Sequence, residues 1–481
     1  MGNKTRLAVF AILLCSSLVL GFIPHAASFC FRAFPSNLTI GVNKGPVPQV
    51  PSCGRLNDGQ VHIPQDWTSF VPPPVGQSYV DPAFGCTIVR LTDSRKDGVA
   101  QHHYYATLTP VSADDSKVLL FNEHGQWSIV DPLGNEIVPA NEMPAANQGV
   151  MVWDASDGNT FYFTRGNSLM KGAVRIHSGR KAQKTHSKSS VEPAVVHTFK
   201  EYAVVLLPDK SDLSVDGNSF AMWGSEKNEI GPLNIFTYNM GTNVKKTPYV
   251  THCSQNPSYV QGSCVHALTQ TADDNVIIDF ASDGNCEECA NRLWNGSALT
   301  KIQDATNHLD AGYDLSGNSI LIEMGNARTL AGMKNPCPSG WGLDVRQLNN
   351  LSSAACLLDR QPSWHVSFRG SASQPWAAIS FFDDRKPGPE LFNDNKLYQG
   401  PSSANWQLYE DEIMLARIDG GVIYGLAHAR SRSSEGFWAT PRAAISRDGK
   451  YVVFDSNMAY AQTGCPTGMD SCADVYLIRV Q

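Results

Sequence analysis

The sequence predicts an all-β protein, a seven-bladed β-propeller closed by an N-terminal strand and preceded by a proline-rich arm. Three observations carry that expectation. A turn-plus-apolar-strand signal recurs seven times, and most copies are followed by a third strand. The chain also holds a spare strand at its front and lacks one at its back.

The copies run through the chain in order. SADDSKVLLFNE starts at Ser112, SDGNTFYFTR at Ser156 and VDGNSFAMWGS at Val215. TADDNVIIDFASDG starts at Thr271, LSGNSILIEMG at Leu315, ASQPWAAISFFDD at Ala372 and SRDGKYVVFDSN at Ser446. Their turns lie at Asp114, Asp157, Asp216, Asp273, Ser316, Ser373 and Asp448, with Gln374-Pro375 replacing Asp-Gly in the sixth. Third strands follow at Trp127, Leu233, Gly342 and Glu412; those of the second and fourth copies are weak. Strict apolar–polar alternation is imperfect, as expected of strands covered on both faces.

The last copy ends with a third strand, Val475 to Val480, which would leave an uncovered edge. Thr87 to Thr92 (TIVRLT) precedes the first copy and is the expected fourth strand of the last blade. Lending it closes the ring.

The repeats resemble the WD40-like, TolB-type propellers, whose signature is SPDGK-xIaF followed by a short Ile-Tyr strand. SRDGKYVVFDSN with DVYLI is the best match, and SADDSKVLLF and VDGNSFAMW are looser. The resemblance covers roughly residues 83–481 and implies a fold that carries many unrelated activities.

Composition excludes some partners. A net charge of −7 over 481 residues shows no basic stripe, which argues against nucleic acid. The cationic run Arg175 to Lys188 reads as a solvated loop after the second blade.

At the N-terminus, Lys4 and Arg6 precede LAVFAILLCSSLVLGFI and the small residues Ala26-Ala27-Ser28. Residues 1–28 therefore read as a secretory signal, with no membrane span in the mature chain and a secreted or periplasmic destination. Residues 29–82 form the Pro-rich arm, extended over the ring, with Trp67 and Phe70 as docking anchors; residues 83–481 form the propeller.

Removing Cys15 leaves eleven of the twelve cysteines. In an oxidising compartment several should pair, and the short-range candidates are Cys253 with Cys264, Cys337 with Cys356 and Cys465 with Cys472. Cys286-Glu-Glu-Cys289 reads as a disulfide staple, since no second ligand pair accompanies it. Cys30, Cys53 and Cys86 sit in the arm and closing strand, and an odd count leaves at least one thiol free.

No nucleophile elbow, P-loop, HExxH or EF-hand loop is present. Chemistry is therefore sought in the blade register. The innermost strand of each blade runs from the channel mouth into the turn, so residues seven or eight positions earlier lie near that mouth. This offset gives His266 in blade four, His308 in blade five and His365 in blade six. Blade seven gives Thr440-Pro441-Arg442, and blade one carries His102-His103 slightly upstream.

Each histidine alone reads as an inner-strand packing residue. Together, His266, His308 and His365 converge on one space and could hold a divalent metal such as Mn, Zn or Ca, with Asp310 or Gln148 as oxygen ligands. Alternatively the cluster, with His103 and Arg442 or Arg369, holds an anion by charge-assisted bonds, and Trp364 and Trp438 could stack on a sugar. The partners expected are a carbohydrate, an anionic small molecule or an extracellular protein.

This arrangement is similar, at a distance, to oligogalacturonate lyase propellers. That family is seven-bladed and holds a divalent metal with channel histidines and a glutamine, while a His and an Arg assist proton removal beside a uronate carboxylate. The resemblance implies a metal-assisted polysaccharide lyase or hydrolase as the alternative to a binding protein. The family's His-Pro-His-Pro entry to its last blade is here Ala439-Thr440-Pro441-Arg442, so two metal ligands lack counterparts unless His428 substitutes.

Overall fold

The computed structural model describes residues 50–481, except 68, 177–188, 211, 306–307, 326–334, 341, 360–364, 372, 382–405, 432–436 and 459–471. The signal segment, Cys30, Cys465 and Trp364 lie outside the described residues.

The strands group into seven antiparallel sheets, four of them four-stranded and three five-stranded. Each is one blade. The innermost strands are Gln101–His102, Val152–Trp153, Val204–Leu206, Val265–Gln270, Leu309–Tyr313, His365–Ser367 and Ala444–Ile445. The seventh blade runs Ala444–Ile445, Tyr451–Ser456, Asp474–Arg479 and then Thr87–Arg90, so the spare N-terminal strand closes the ring. Ile88 pairs with Ile478 and Arg90 with Tyr476.

The repeated turn has a local cause. Ser112 Oγ donates to Asp114 Oδ1 at 2.7 Å and accepts from the Lys117 N–H at 3.0 Å. Thr271 with Asp273, and Ser446 with Asp448, make the same pair of bonds. The residue after the turn carboxylate takes positive φ at Asp115 (61°), Gly217 (76°), Asp274 (62°) and Gly449 (79°). That backbone favours glycine or a short acidic side chain, which explains the Asp-Gly and Asp-Asp dipeptides.

Buried clusters lie between blades. Ile88, Ile413, Leu426, Ile445, Phe454 and Ile478 fill the space from blade six to blade seven. Leu91, Val118, Leu120, Val453 and Leu477, with Val89 packed against them, fill that from seven to one. Strands with an apolar neighbour on each face have no polar side to alternate with.

The second blade differs from expectation. Its fourth strand, Ser189–Thr198, pairs along Ser168–Ile176, so the cationic run falls within the blade between its third and fourth strands, not after it.

The arm adds Arg55–Leu56 to the edge of blade six and Ser78–Val80 to the edge of blade seven. Trp67 is buried edge-on to Trp406 at 5.2 Å, and Phe70 lies between Tyr79 and the Arg430 guanidinium. Disulfides join Cys53–Cys86, Cys253–Cys264, Cys286–Cys289 and Cys337–Cys356, and Cys472 is also disulfide-bonded. No helix among the described residues is long and apolar enough to cross a membrane.

Candidate functional site

The inner strands bring His308 and His365 together, with ring centroids 4.5 Å apart. His365 starts its strand, is buried, and neither ring nitrogen has a hydrogen-bond partner among the described residues. Burial lowers the pKa of His308 to about 3, helped by Lys210 and His266. Burial also holds His365 well below the usual range, with His308 and Arg442 adding to the effect. His266 is lowered by burial and by Lys210. The cluster is therefore neutral at pH 7.

Tyr105 sits edge-on to His365 at 5.4 Å, and Lys210 Nζ lies 6.0 Å from its ring centre. Lys210 pairs with Asp279 at 3.0 Å and its pKa is raised: desolvation opposes the charge, but Asp279 outweighs it. Tyr104, Lys210 and Arg442 all have positive φ, at 77°, 65° and 36°. Such backbone costs roughly 1–3 kcal/mol per residue and persists only where its surroundings enforce it. At Tyr104 it splays two consecutive rings, Tyr104 onto Trp127 and Tyr105 toward the histidines.

The remaining predicted residues are held internally. His103 Nδ1 meets Asp455 Oδ1 at 2.9 Å, and its Nε2 meets the Arg442 carbonyl at 2.7 Å, so both ring nitrogens are engaged. Arg442 is fully buried and pairs with Asp455 at 2.8 Å. Trp438 is half-buried, stacked on His102 at 3.8 Å and beneath the Arg442 guanidinium. Arg369 contacts Asp310 at 2.7 Å and donates to the carbonyls of Ala311 and Thr107, tying blade five to blade one. Asp310 also accepts from two backbone N–H groups, so it is no spare metal ligand, and Gln148 is exposed.

His428 does not substitute for a missing ligand. It ends the outer strand of blade six, where Nδ1 meets Asp81 at 3.3 Å and Nε2 meets the His62 carbonyl at 2.9 Å. Its role is to hold the arm.

Among the described residues, the one set of three His, Cys, Asp or Glu side chains whose ligand atoms gather within 4.8 Å is Cys253, Cys264 and Glu288. Its thiols are oxidised to a disulfide, and Glu288 accepts from Tyr249 and two backbone N–H groups. The three channel histidines are thus a close pair with a third further out. Their neutral state and the unpartnered His365 nitrogens suit a metal; their spacing does not form a closed three-ligand set.

His102 gives a pH prediction. It is fully buried without ring hydrogen bonds, and burial lowers its pKa to about 3. Since the unfolded value is higher, near 6.5, its contribution is fully present above pH 6.5 and is lost as pH falls toward 3. His102→Phe keeps a ring against Trp438 but cannot titrate. Its stability relative to wild type should rise by about 1.4 kcal/mol per pH unit below 6.5, or about 2 kcal/mol at pH 5. Urea midpoints at pH 7.5 and 5 measure this; an unchanged difference refutes it.

The sheets and their closure define the class, a seven-bladed β-propeller. No protein-family model matches the chain, and no curated protein sequence does. Among solved structures the chain is similar to an oligogalacturonate lyase in complex with manganese, at 12% identity and TM-score 0.48, over 84% of this chain and 96% of that one. It is similar to TolB from Acinetobacter baumannii at 13% identity and TM-score 0.32, over 76% of each chain. The Neurospora crassa Pan2 WD40 domain follows at 8% identity and TM-score 0.38, over 82% of this chain and 96% of that one. These likenesses are of fold.

Proposed function

We propose that the protein is an exported binding propeller that holds a small polar ligand, anionic or carbohydrate, at the histidine end of its channel. The observation that carries this reading is His365, buried at 3% exposure beside His308 with both ring nitrogens unpartnered. A neutral imidazole offers one donor and one acceptor, and leaving both unmet inside a protein is costly unless a ligand meets them. Lys210 adds a cation and Tyr105 an aromatic face. Four disulfides support export, because such bonds persist in oxidising compartments.

Both ring nitrogens of His103 are engaged, one by Asp455 and one by the Arg442 carbonyl, so His103 is not available as a base for lyase chemistry. Calorimetric titration with glucuronate, glucose and sulfate tests the reading. At least one should bind saturably to wild type, and about tenfold or more weaker to His365→Ala. No binding by wild type across the panel counts against it.

A second reading, a divalent metal on His266, His308 and His365, is favoured by the depressed imidazole pKa values. Bound there, a metal would act as a Lewis acid on an anionic ligand. Protein purified without chelator should then carry near-stoichiometric Mn, Zn or Ca that His308→Ala removes. Metal-free protein with unchanged melting in chelator sinks this reading and the lyase alternative with it.

A further inference from the structure

The segment Cys286-Glu-Glu-Cys289 takes no part in the histidine site. It lies in the connection from Val276–Phe280 to Asn291–Trp294, the second and third strands of blade four. The first strand of that blade starts at the end where His266 lies, and the antiparallel second strand returns the chain there. The connection abuts a second disulfide. The Ala281 N–H donates to the Cys264 carbonyl at 3.0 Å, and Glu288 accepts from the Cys253 N–H at 2.9 Å.

Access and loop length set Cys286–Cys289 apart. Among the described cysteines Cys286 alone is exposed, while its partner Cys289 is buried. The bridge spans only 3 positions, against 33, 11 and 19 for Cys53–Cys86, Cys253–Cys264 and Cys337–Cys356. A disulfide stabilises a fold mainly by constraining the unfolded chain, and the gain grows with the loop that it closes. Of these four, Cys286–Cys289 therefore contributes least to the fold and is the most open to a thiol in solution. Exposed bridges are the ones that exchange.

An exposed and a buried cysteine so close together form a working dithiol only where the loop keeps its shape once the bond opens. Arg292 supplies that frame. Its buried guanidinium donates to the carbonyls of Cys286 at 2.5 Å, Glu287 at 3.0 Å and Gly284 at 3.4 Å, all within the loop. It also donates to those of Asn291 at 3.0 Å and Gln303 at 2.6 Å. The Ala290 N–H donates to the Ser282 carbonyl at 2.7 Å, which closes the base of the loop. None of these bonds requires the sulfurs to be joined.

The charges exposed around Cys286 are negative. Asp283 and Glu287 are exposed on the same loop. Arg292 is buried, and Lys301 is taken up by Asp304 and the Asn285 side chain. Glu288 is half-buried and lies 3.6 Å from His252. Such a loop attracts a cationic thiol and repels an anionic one.

We propose that Cys286–Cys289 is a thiol–disulfide exchange site for cysteine thiols carried on cationic peptides. A substrate thiolate attacks Cys286 Sγ, the bond to Cys289 breaks, and its electron pair leaves on Cys289, which takes up a proton. A second substrate thiolate attacks the substrate sulfur of the mixed disulfide and expels Cys286, which is protonated in turn. Two substrate thiols are thereby oxidised to one disulfide, and the disulfide of the chain is reduced to two thiols.

Cysteamine and mercaptopropionate, a cationic and an anionic thiol, are the probes. The oxidised full chain is mixed with each, quenched with iodoacetamide and mapped by mass spectrometry. Cys286–Cys289 should open about tenfold or more faster than Cys53–Cys86, Cys253–Cys264 or Cys337–Cys356. At equal thiolate concentration cysteamine should outpace mercaptopropionate, and Glu287→Lys, a change at an exposed position, should reverse that order. The thiol left in Cys289→Ser should form a mixed disulfide with cystamine about tenfold or more faster than the one left in Cys286→Ser. Opening of Cys286–Cys289 together with or after the other three overturns the proposal, and so does equal reactivity of the two single-cysteine variants. A faster reaction with mercaptopropionate in wild type, or an order unchanged in Glu287→Lys, overturns the cationic partner.

Discussion

Ile88→Asp is expected to abolish cooperative folding of the whole ring. Ile88 is fully buried in the closing strand, packed in the cluster that joins blades six and seven. Losing the side chain alone costs about 2–5 kcal/mol, as for other large-to-small core changes. A carboxylate placed there has no cation to meet and adds a penalty of several kcal/mol. The sum approaches or exceeds the 5–15 kcal/mol typical of a whole domain. The damage also spreads. Arg90, two residues on, pairs with Asp474 at 2.8 Å, and Asp474 further accepts from Thr92 and the Ser94 N–H. Displacing the strand therefore strands a buried carboxylate on the other side of the seam. Val80→Asp, on the exposed outermost strand of the same blade, is the control and should melt within about 2 °C of wild type. Thermal unfolding followed by circular dichroism separates the two; a native-like transition in Ile88→Asp would show that the seam does not hold the ring.

That seam was readable from the sequence because pairing needs are local arithmetic: one blade short of a strand, one strand without a blade. The turns were equally readable, since Ser-x-Asp-Gly encodes its own hydrogen bonds and its own positive φ. The inner-strand offset likewise placed His308 beside His365. Side-chain pairing was less legible. His103, Arg369 and Arg442 looked available for a ligand, yet each is spent on a carboxylate donated by a different strand or blade. The signal was present but not in the histidines. Asp279 in VIIDF, Glu323 in ILIEM and Asp455 in VVFDS each interrupt an apolar second strand six or seven residues after the turn. All three are buried, and each is paired, with Lys210, Arg346 and Arg442 respectively. A carboxylate in an otherwise apolar strand announces a cation opposite, but sequence does not say which. His428, the possible stand-in for a missing metal ligand, instead holds the arm, meeting Asp81 and the His62 carbonyl.

Asp455 is the keystone of the site's rigid half, and Asp455→Ala should destabilise the protein by about 3–5 kcal/mol, the range for breaking a buried ion pair from one side. The carboxylate accepts from the His103 backbone and ring and from Arg442, all fully or nearly fully buried. Burial works to raise its pKa, but His103 and Arg442 outweigh burial and hold it below the ordinary carboxylate range. Its stabilisation is therefore present above the unfolded carboxylate value and is lost as pH falls through the lowered folded value. Removing it leaves Arg442 as an uncompensated buried cation, which fixes the sign of a double-mutant test. Arg442→Met in the Asp455→Ala background should recover part of the loss, so the pair should be less destabilised than the sum of the single changes. Additive effects would mean that Arg442 draws its stability from the rings of Phe437 and Trp438 that it overlies, not from the carboxylate. The consequence reaches the ligand end of the channel. His103 and Arg442 lie on either side of the seam between blades one and seven, and Tyr105, two residues beyond His103, faces His365. If the carboxylate sets that spacing, Asp455→Ala should also weaken binding at the histidines under conditions where the fold is intact, whereas His102→Phe, which leaves Asp455 and its partners in place, should not.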